Sequence, residues 1–549
     1  MTHNMKKVAA GIAGMIAALA APGAQAFTFD SEGVRGSFDT QLSVGAGMRV
    51  KGPACGLVTA GATGDGAPAG CLSPTAGVGD QGDLNYARGD LFTGYLKGSH
   101  ELLLKFPQDV TAMARVNWVR DFAATRTTGI QSATTPPGLT TDGLTDDARK
   151  DLRFQARLLD LWVSKSFSIG EQQARLRVGN QVISWGESLF LPGGINATNA
   201  LDTMRLSQPG VQLKEAVLPA PMVSLASGLG NGLNVEAYVQ AAWNKSYIAP
   251  VGSYWSNSQA IGKGSASYGF TDTDARDGGQ WGVSLRWQPS GSAANYGVYA
   301  MNYHDKLPAL KIDLNTFAPG WVYPENRKLY GVSANFPVGD WAVGTELSYR
   351  PKDAVTVSPL AGCAARDGRC WVDEKRLQWH LTGIYAFTPA NARGLLDALG
   401  GASGANFAGE FVLTRYPKLQ SSYDGDPVSA GYWGWGQETD PAGVPQSVGT
   451  RNSSGIALDF SVTYDGTLIE GWQVVPEVFW FKALSGRTPN LTVPFMKGAS
   501  ALNLTVTFIR NPATWQFAVN YARFSGGSSP FDQTFKDRDF VGAVLTRNF

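Results

Sequence analysis

From Gly36 to Phe549, apolar and polar side chains alternate with a period of two, and that pattern constrains the fold more than any other feature. In the first stretch Phe38, Leu42, Val44, Ala46, Met48 and Val50 share one parity, while Asp39, Gln41, Ser43 and Arg49 share the other. Successive side chains of a strand point to opposite faces, so each such stretch is a strand with one greasy and one wet side. The rows recur: Leu233/Val235/Val239 against Asn234/Glu236/Gln240, Trp281/Val283/Leu285/Trp287 against Ser284/Arg286, and Trp341/Val343/Leu347 against Glu346/Ser348/Arg350. Later members run over Ile456–Tyr464 and Trp515–Tyr521. Trp and Tyr close many rows, as expected where aromatic girdles meet the two membrane interfaces. No linker or composition shift divides the chain, although a soluble chain this long would be expected to split into domains.

A soluble sandwich also alternates, so the connections decide. They run long, short, long, short. The long ones cover about 52–89, 123–150, 187–219, 246–278, 307–327, 352–373, 416–452, 484–499 and 525–537; the short ones fall near Pro107, Gly170, Gly230, Gly291, Gly339, Gly466 and Asn511. Only 389–403, which reads as a short helix from Ala390 to Leu399, is longer than its short-turn partners. Long outer loops and short periplasmic turns belong to outer-membrane barrels. The expected fold is therefore all-β: a transmembrane antiparallel β-barrel of about 18 strands, or 16 if the stretch near Pro221–Gly228 is not a strand. A barrel of that size encloses an aqueous lumen.

Residues 1–26 read as a secretory signal peptide, with Lys6 and Lys7, an apolar run from Val8 to Ala21, and a small-residue cleavage site at Ala24-Gln25-Ala26. Residues 27–549 then form a single barrel exported to the outer membrane. Losing Lys6 and Lys7 takes the net charge from +1 to −1, so no nucleic-acid partner is implied.

One stretch departs from the alternation. Residues Arg175–Val182 alternate, and Trp185-Gly-Glu187 marks the point where the chain is expected to leave the sheet. Ser188–Leu218 then mixes Leu189, Phe190, Leu191 and Ile195 with Asn196, Asn199, Asp202 and Arg205. A structureless segment of that length is functional or disordered, and its apolar content argues against disorder. Outside, those apolar residues would form an uncovered patch, so 188–218 is expected to fold into the lumen, with Glu187 pairing Arg205. Candidate lumen and selectivity residues are Arg175, Arg177, Trp185, Glu187, Asn196, Asp202, Arg205, Glu236 and His380. Arg49, Arg286, Arg350, Asp39, Glu346, Glu410 and Asp459 share the inward parity, and this mixture of signs argues against strong anion or cation selectivity.

All four cysteines lie in long connections, and two local disulfides, Cys55–Cys71 and Cys363–Cys370, fit an oxidising exterior. The parts for catalysis are missing. Only His100, His304 and His380 follow the leader, neighbours such as His304 and Asp305 point to opposite faces of a strand, and no nucleophile elbow, zinc-protease motif or phosphate loop occurs. Asp424-Gly-Asp426 offers two carboxylates to a calcium ion, without the further spaced oxygens such a site needs. No enzyme, cofactor or metal centre is expected.

Several segments resemble the Gram-negative outer-membrane family known as domain of unknown function 1302. They are Phe27-Thr-Phe-Asp with Gly36-Ser-Phe-Asp-Thr, Leu158-Leu-Asp-Leu-Trp-Val-Ser, Gly179-Asn-Gln-Val-Ile-Ser-Trp-Gly-Glu-Ser188, Gly193–Asp202, Leu213–Met222 and Asn234-Val-Glu-Ala-Tyr. Ala200 stands where the family is expected to carry proline. The resemblance implies an outer-membrane barrel inserted by the barrel-assembly machinery, for which the terminal Phe549 resembles the signal, with Arg547 departing from its apolar spacing. It also implies a periplasmic lipoprotein-carrier-like protein and an inner-membrane exporter-type transporter as partners. The function expected is passive passage of a small hydrophobic or amphipathic compound, because no N-terminal plug or energy-coupling domain is read. A general porin for small polar solutes and a surface adhesion barrel are the alternatives.

Overall fold

The structure, a computed structural model, describes residues 27–31, 33–54, 57, 81–127, 142–210, 213–357, 362–430, 448–490, 495–510, 512–528 and 532–549. The leader at residues 1–26, Cys55 and Cys71 lie outside them.

Eighteen strands, each antiparallel to its neighbours in chain order, close into a barrel. They are β1 Val34–Arg49, β2 Leu91–Phe106, β3 Val110–Asp121, β4 Phe154–Ile169, β5 Gln172–Gln181 and β6 Ala220–Gly230. Next come β7 Leu233–Gln240, β8 Gln280–Trp287, β9 Asn295–Tyr303, β10 Arg327–Val338, β11 Trp341–Thr356 and β12 Trp371–Phe387. The circuit ends with β13 Gly404–Arg415, β14 Asn452–Asp465, β15 Trp472–Ser485, β16 Ser500–Arg510, β17 Trp515–Ser525 and β18 Phe540–Asn548. Pro221–Gly228 belongs to a full strand, β6, which settles the count at eighteen. Closure pairs Gln41–Arg49 of β1 with Phe540–Asn548 of β18. Below that pairing β1 would present a bare edge. The short strand Phe27–Ser31 covers it, registering Phe27 on Phe38 and Ser31 on Val34.

The alternation becomes an exterior and an interior. Val163, Val178, Val223, Val283, Val332 and Leu347 point outward and stay 41–51 % exposed, an apolar belt that suits hydrocarbon and nothing aqueous. Among the described residues no helix is long and apolar enough to cross a membrane, so the strands do the crossing. Arg547 keeps the outward parity of Leu545 by lying over Trp515 (5.1 Å) and Phe549 (4.5 Å), where its charge can snorkel to the rim.

At the long-loop end the connections interlock. Arg49 reaches Asp83 at 2.6 Å, Arg538 donates to the Ser256 carbonyl at 2.7 Å, and Tyr86, Tyr254, Trp255 and Phe540 pack together around Phe92. A second apolar cluster joins Leu57, Ile261, Leu310 and Trp321 to the Cys363–Cys370 disulfide. The Asp424 and Asp426 carboxylates both take the Arg366 guanidinium, at 2.8 and 2.7 Å. At the short-turn end the helix is trimmed to Arg393–Ala398, and it buries Leu396 against Val462.

Candidate functional site

Inside the barrel the chain between β5 and β6 crosses from wall to wall. The sheet loses it at Gln181, earlier than Trp185-Gly-Glu187, because Asn199 staples Ile183: its Oδ1 accepts the Ile183 N–H (3.2 Å) and its amide donates to the Ile183 carbonyl (2.6 Å). Trp185 then turns inward, donates to Glu236 (2.7 Å) and packs with Tyr238 and Tyr299. Gly186, at φ +92°, makes the bend, and a side chain there would strike the Glu346 carboxylate.

Across the lumen, two carboxylates of the far wall collect the segment's backbone N–H groups. Glu346 on β11 accepts from Glu187 (2.6 Å) and Ile195 (2.8 Å). Glu410 on β13 accepts from Leu189 (3.2 Å), Phe190 (2.6 Å) and Leu191 (2.8 Å). The carbonyls in between meet cations and an amide: Gln378 donates to Pro192, Arg350 to Gly193 and Gly194, and Arg376 to Gly193, all within 2.7–3.0 Å. Both arginines are fully buried, with Arg350 also on Tyr303 and Arg376 on Asp353. Charge-assisted bonds of this sort are about twice as strong as neutral ones, and a turn with no regular structure is thereby fixed.

The segment then returns. Asp202 caps the single turn Thr203–Leu206 and is held by Arg157 of β4 and by Arg205 (3.4 Å). Pro209 and Gly210 lie against β2 and β18: Tyr95 donates to the Pro209 carbonyl (2.9 Å), and a Cβ on Gly210 would meet Val544. Glu215 is buried on Lys97 (2.7 Å), and Ala200-Leu201 pairs with Val217-Leu218 just before β6 begins.

The predicted residues thus divide between the inner segment (Trp185, Glu187, Asn196, Asp202, Arg205) and the barrel wall (Arg175 and Arg177 on β5, Glu236 on β7, His380 on β12). Arg175 lines a vestibule of about 490 Å³ near the short-turn end with Glu236 and Arg286, and Arg177 lies over the Trp162 ring (4.2 Å). Glu187 does not pair with Arg205; its carboxylate accepts from Asn335 (3.1 Å) and Ser333 (3.3 Å) on β10, while Arg205 stays beside Asp202 near β4. Asn196 accepts from Asn199 (2.8 Å) at the lumen surface. His380 is fully buried and donates from Nδ1 to Glu410 (2.7 Å), with the Gln378 amide on its Nε2 (2.7 Å). Arg157, Lys97, Arg376 and Gln378 were not singled out; inward parity was their only sequence signal. Outside the wall His304 is a brace, accepting the Asn326 N–H and meeting the Gly278 carbonyl, both at 3.0 Å. Beside it, burial raises the Asp305 carboxyl to about 7 and lowers the Lys306 ammonium to about 7.

A second lumen space of about 440 Å³ separates Leu206–Gly210 from β15–β18. Thr505, Thr507, Gln516, Asn520 and Thr546 give it a hydroxyl and amide lining, into which Leu206, Phe479 and Phe524 project.

A family model described as Protein of unknown function (DUF1302) matches residues 7–549. A search of curated proteins returns no match. Among solved structures the chain is similar to Acinetobacter baumannii OccAB1, at 13% identity and TM-score 0.43 over 96% of this chain and 98% of that one. It is also similar to Pseudomonas aeruginosa OpdK with vanillate (11%, 0.40, 94% and 98%) and to Salmonella typhi OmpF with daunomycin (8%, 0.38, 95% and 100%).

Proposed function

The chain belongs to the DUF1302 family of proteins of unknown function, and from that premise we propose that it is a passive outer-membrane channel for a small hydrophobic or amphipathic compound. The observation that carries this reading is apolar surface inside a polar lumen: Phe190 and Leu206 on the inner segment stay 38 % and 48 % exposed, and Phe190 lies 5.4 Å from the Phe479 ring. A wholly aqueous pore gains nothing from side chains like these, whereas an amphipathic solute can bury its apolar part on them. In this reading the leader is cleaved, the long loops face outward and the short turns face the periplasm. A periplasmic carrier and an inner-membrane exporter-type transporter would exchange the compound at the short-turn mouth. Chemistry on the solute has no support: Glu346 and Glu410 are occupied in holding backbone, and the His380 ring is occupied by Glu410 and Gln378. The polar lining between Thr505 and Thr546 favours a second reading, a diffusion channel for small polar solutes.

The test is reconstitution. Proteoliposomes should swell slowly in sugars, and a variant with Ile195–Gln208 replaced by a short Gly/Ser linker should swell faster and conduct more in planar bilayers. Rapid sugar-driven swelling of the wild type would select the second reading, and equal conductance of the two proteins would remove the segment from the channel.

A further inference from the structure

The wall is not of even height. β4 has 16 residues, but β5, β6, β7 and β8 have 10, 11, 8 and 8. About 9–11 tilted residues are needed to cross hydrocarbon, so β5 and β6 only just cross it and β7 and β8 fall short, leaving the wall low on this side. β4 continues. Its pairing with β5 ends at Leu161 on Asn180, and from Phe154 to Asp160 no strand among the described residues pairs with that edge. The Asn180 side-chain amide reaches up to the carbonyls of Leu158 and Leu159, terminating the sheet at the point where the two strands part. A bare edge facing lipid is not tolerated in a membrane; it persists only where it lines a cavity.

A cavity is there. A cleft of about 650 Å³ is lined by Phe154, Gln155, Ala156 and Arg157 of β4 together with Leu218, Ile248, Ile261 and Trp321. Phe154 and Ala156 have the outward parity of Leu158, which is 49 % exposed, whereas Arg157 has the inward parity and binds Asp202 of the inner segment. Both faces of one strand line the same space, so the cleft wraps around the free edge and passes through the wall. Its floor is polar: Arg157 on Asp202, the Gln155 amide on the Tyr247 hydroxyl (2.7 Å), and the Tyr247 N–H on the Leu201 carbonyl (2.8 Å). Its sides are apolar and aromatic, with two ion pairs among them, Lys245 on Asp272 (2.6 Å) and Lys263 on Asp151 (3.3 Å).

We propose that this cleft is a lateral portal through which an amphiphile with an apolar body and a polar or anionic end passes between the outer leaflet and the lumen. The apolar body lies against Phe154, Leu218 and Ile261, and the polar end reaches Arg157. The Arg157–Asp202 pair, being part of the inner segment's anchorage, is the door. This inference rests on the amphipathic-substrate reading and adds the route.

The test uses the full-length barrel in liposomes with a diazirine-bearing dodecanoic acid dissolved in the bilayer. Photolysis of the wild type should label lumen peptides containing Leu206 and Phe479. Ala156→Trp, which fills the cleft from outside, should cut that label about tenfold while leaving KCl conductance and labelling of lipid-facing Leu504 and Val519 unchanged. Leu218→Phe, narrowing the cleft from the other side, should act in the same direction and serves if Ala156→Trp does not fold. Lumen labelling that survives either folded variant would overturn the portal and leave the channel reading standing. A fall in KCl conductance alongside the label would overturn it too, since the cleft would then belong to the aqueous path. No lumen labelling in the wild type would defeat the portal together with the amphipathic reading.

Discussion

Replacing Glu410 by glutamine should release the inner segment without opening the barrel. The carboxylate accepts three consecutive backbone N–H groups, from Leu189, Phe190 and Leu191, and a fourth bond from His380 Nδ1. Gln378 fixes the direction of that fourth bond. Its amide donates to the Pro192 carbonyl and to His380 Nε2, so the imidazole must donate from Nδ1. A chain of donors running one way ends only in an acceptor with both oxygens free. Glutamine has one oxygen, and either orientation sets its NH2 against an existing donor. One orphaned buried donor costs about 1–3 kcal/mol, and turning charge-assisted bonds to the other oxygen into neutral ones roughly halves them. A total of about 2–4 kcal/mol shifts the ratio of docked to released segment by about 30- to 1,000-fold. The ladders of β13 with β12 and β14 are untouched, so heat-modifiable mobility should stay that of a folded barrel. Single-channel recordings should show transitions to a larger conductance level, and chymotrypsin should cut after Leu189 or Phe190. A variant that matches the wild type in both current noise and cleavage would refute the reasoning, because Glu410 would then not hold the segment.

Gly194→Ala should reproduce that phenotype from the other side, since its Cβ would lie 1.8 Å from Glu346 Oε1; a variant with wild-type conductance would show that the turn relaxes freely. In a variant lacking the native cysteines, a cysteine at Ser267 should label on intact cells and one at Ser290 only after the outer membrane is opened; surface labelling at Ser290 would reverse the orientation. Non-reducing peptide maps should contain Cys363–Cys370 and, in the residues not described, Cys55–Cys71; a bridge between the two pairs would refute the local pairing. At the long-loop mouth, burial first and the neighbouring Asp83 carboxylate second raise Asp537 to about 8. Its raised pKa means that its share of loop stability is complete below the ordinary carboxyl range and lost as pH climbs through about 8, so proteolysis of 526–539 should quicken between pH 6 and pH 9, and Asp537→Asn should abolish that dependence.

The barrel was legible because the membrane leaves outward positions so little freedom. Every strand must present an apolar row to lipid, and the row survives in sequence even where the strand is short, as in β8. The doubtful strand, β6, is doubtful for a physical reason: Ser227 interrupts its outward row of Val223, Leu225 and Leu229, Gly228 and Gly230 add two glycines to its end, and Pro221 stands at its start, where the N–H a proline lacks matters least. The disulfide at Cys363–Cys370 was legible from spacing alone. The partners of the inner segment were not. Glu187 and Arg205 are close in sequence and opposite in charge, yet the chain crosses the lumen and returns between them, so they end on β10 and near β4. His380 read as one more wet side chain, because its bond to Glu410 depends on the register of β12 with β13, which sets Thr382, not His380, opposite Glu410.

Parity tells which residues face the lumen and is silent about which of them touch water. Arg350 and Arg376 face inward, as a solvated pore lining would, but both are wholly buried and spend their donors on the carbonyls of Gly193 and Gly194. Arg175 has the same parity and remains exposed. Three arginines of one orientation therefore divide according to what lies against them. A guanidinium gives up its water only where other acceptors take its place, and the terminal nitrogens of both arginines find backbone carbonyls, so buried charge here marks where backbone has folded in. By that criterion the far wall from Glu346 to Glu410 is the anchorage of the inner segment, and the wet arginine of β5 belongs to the path that is left.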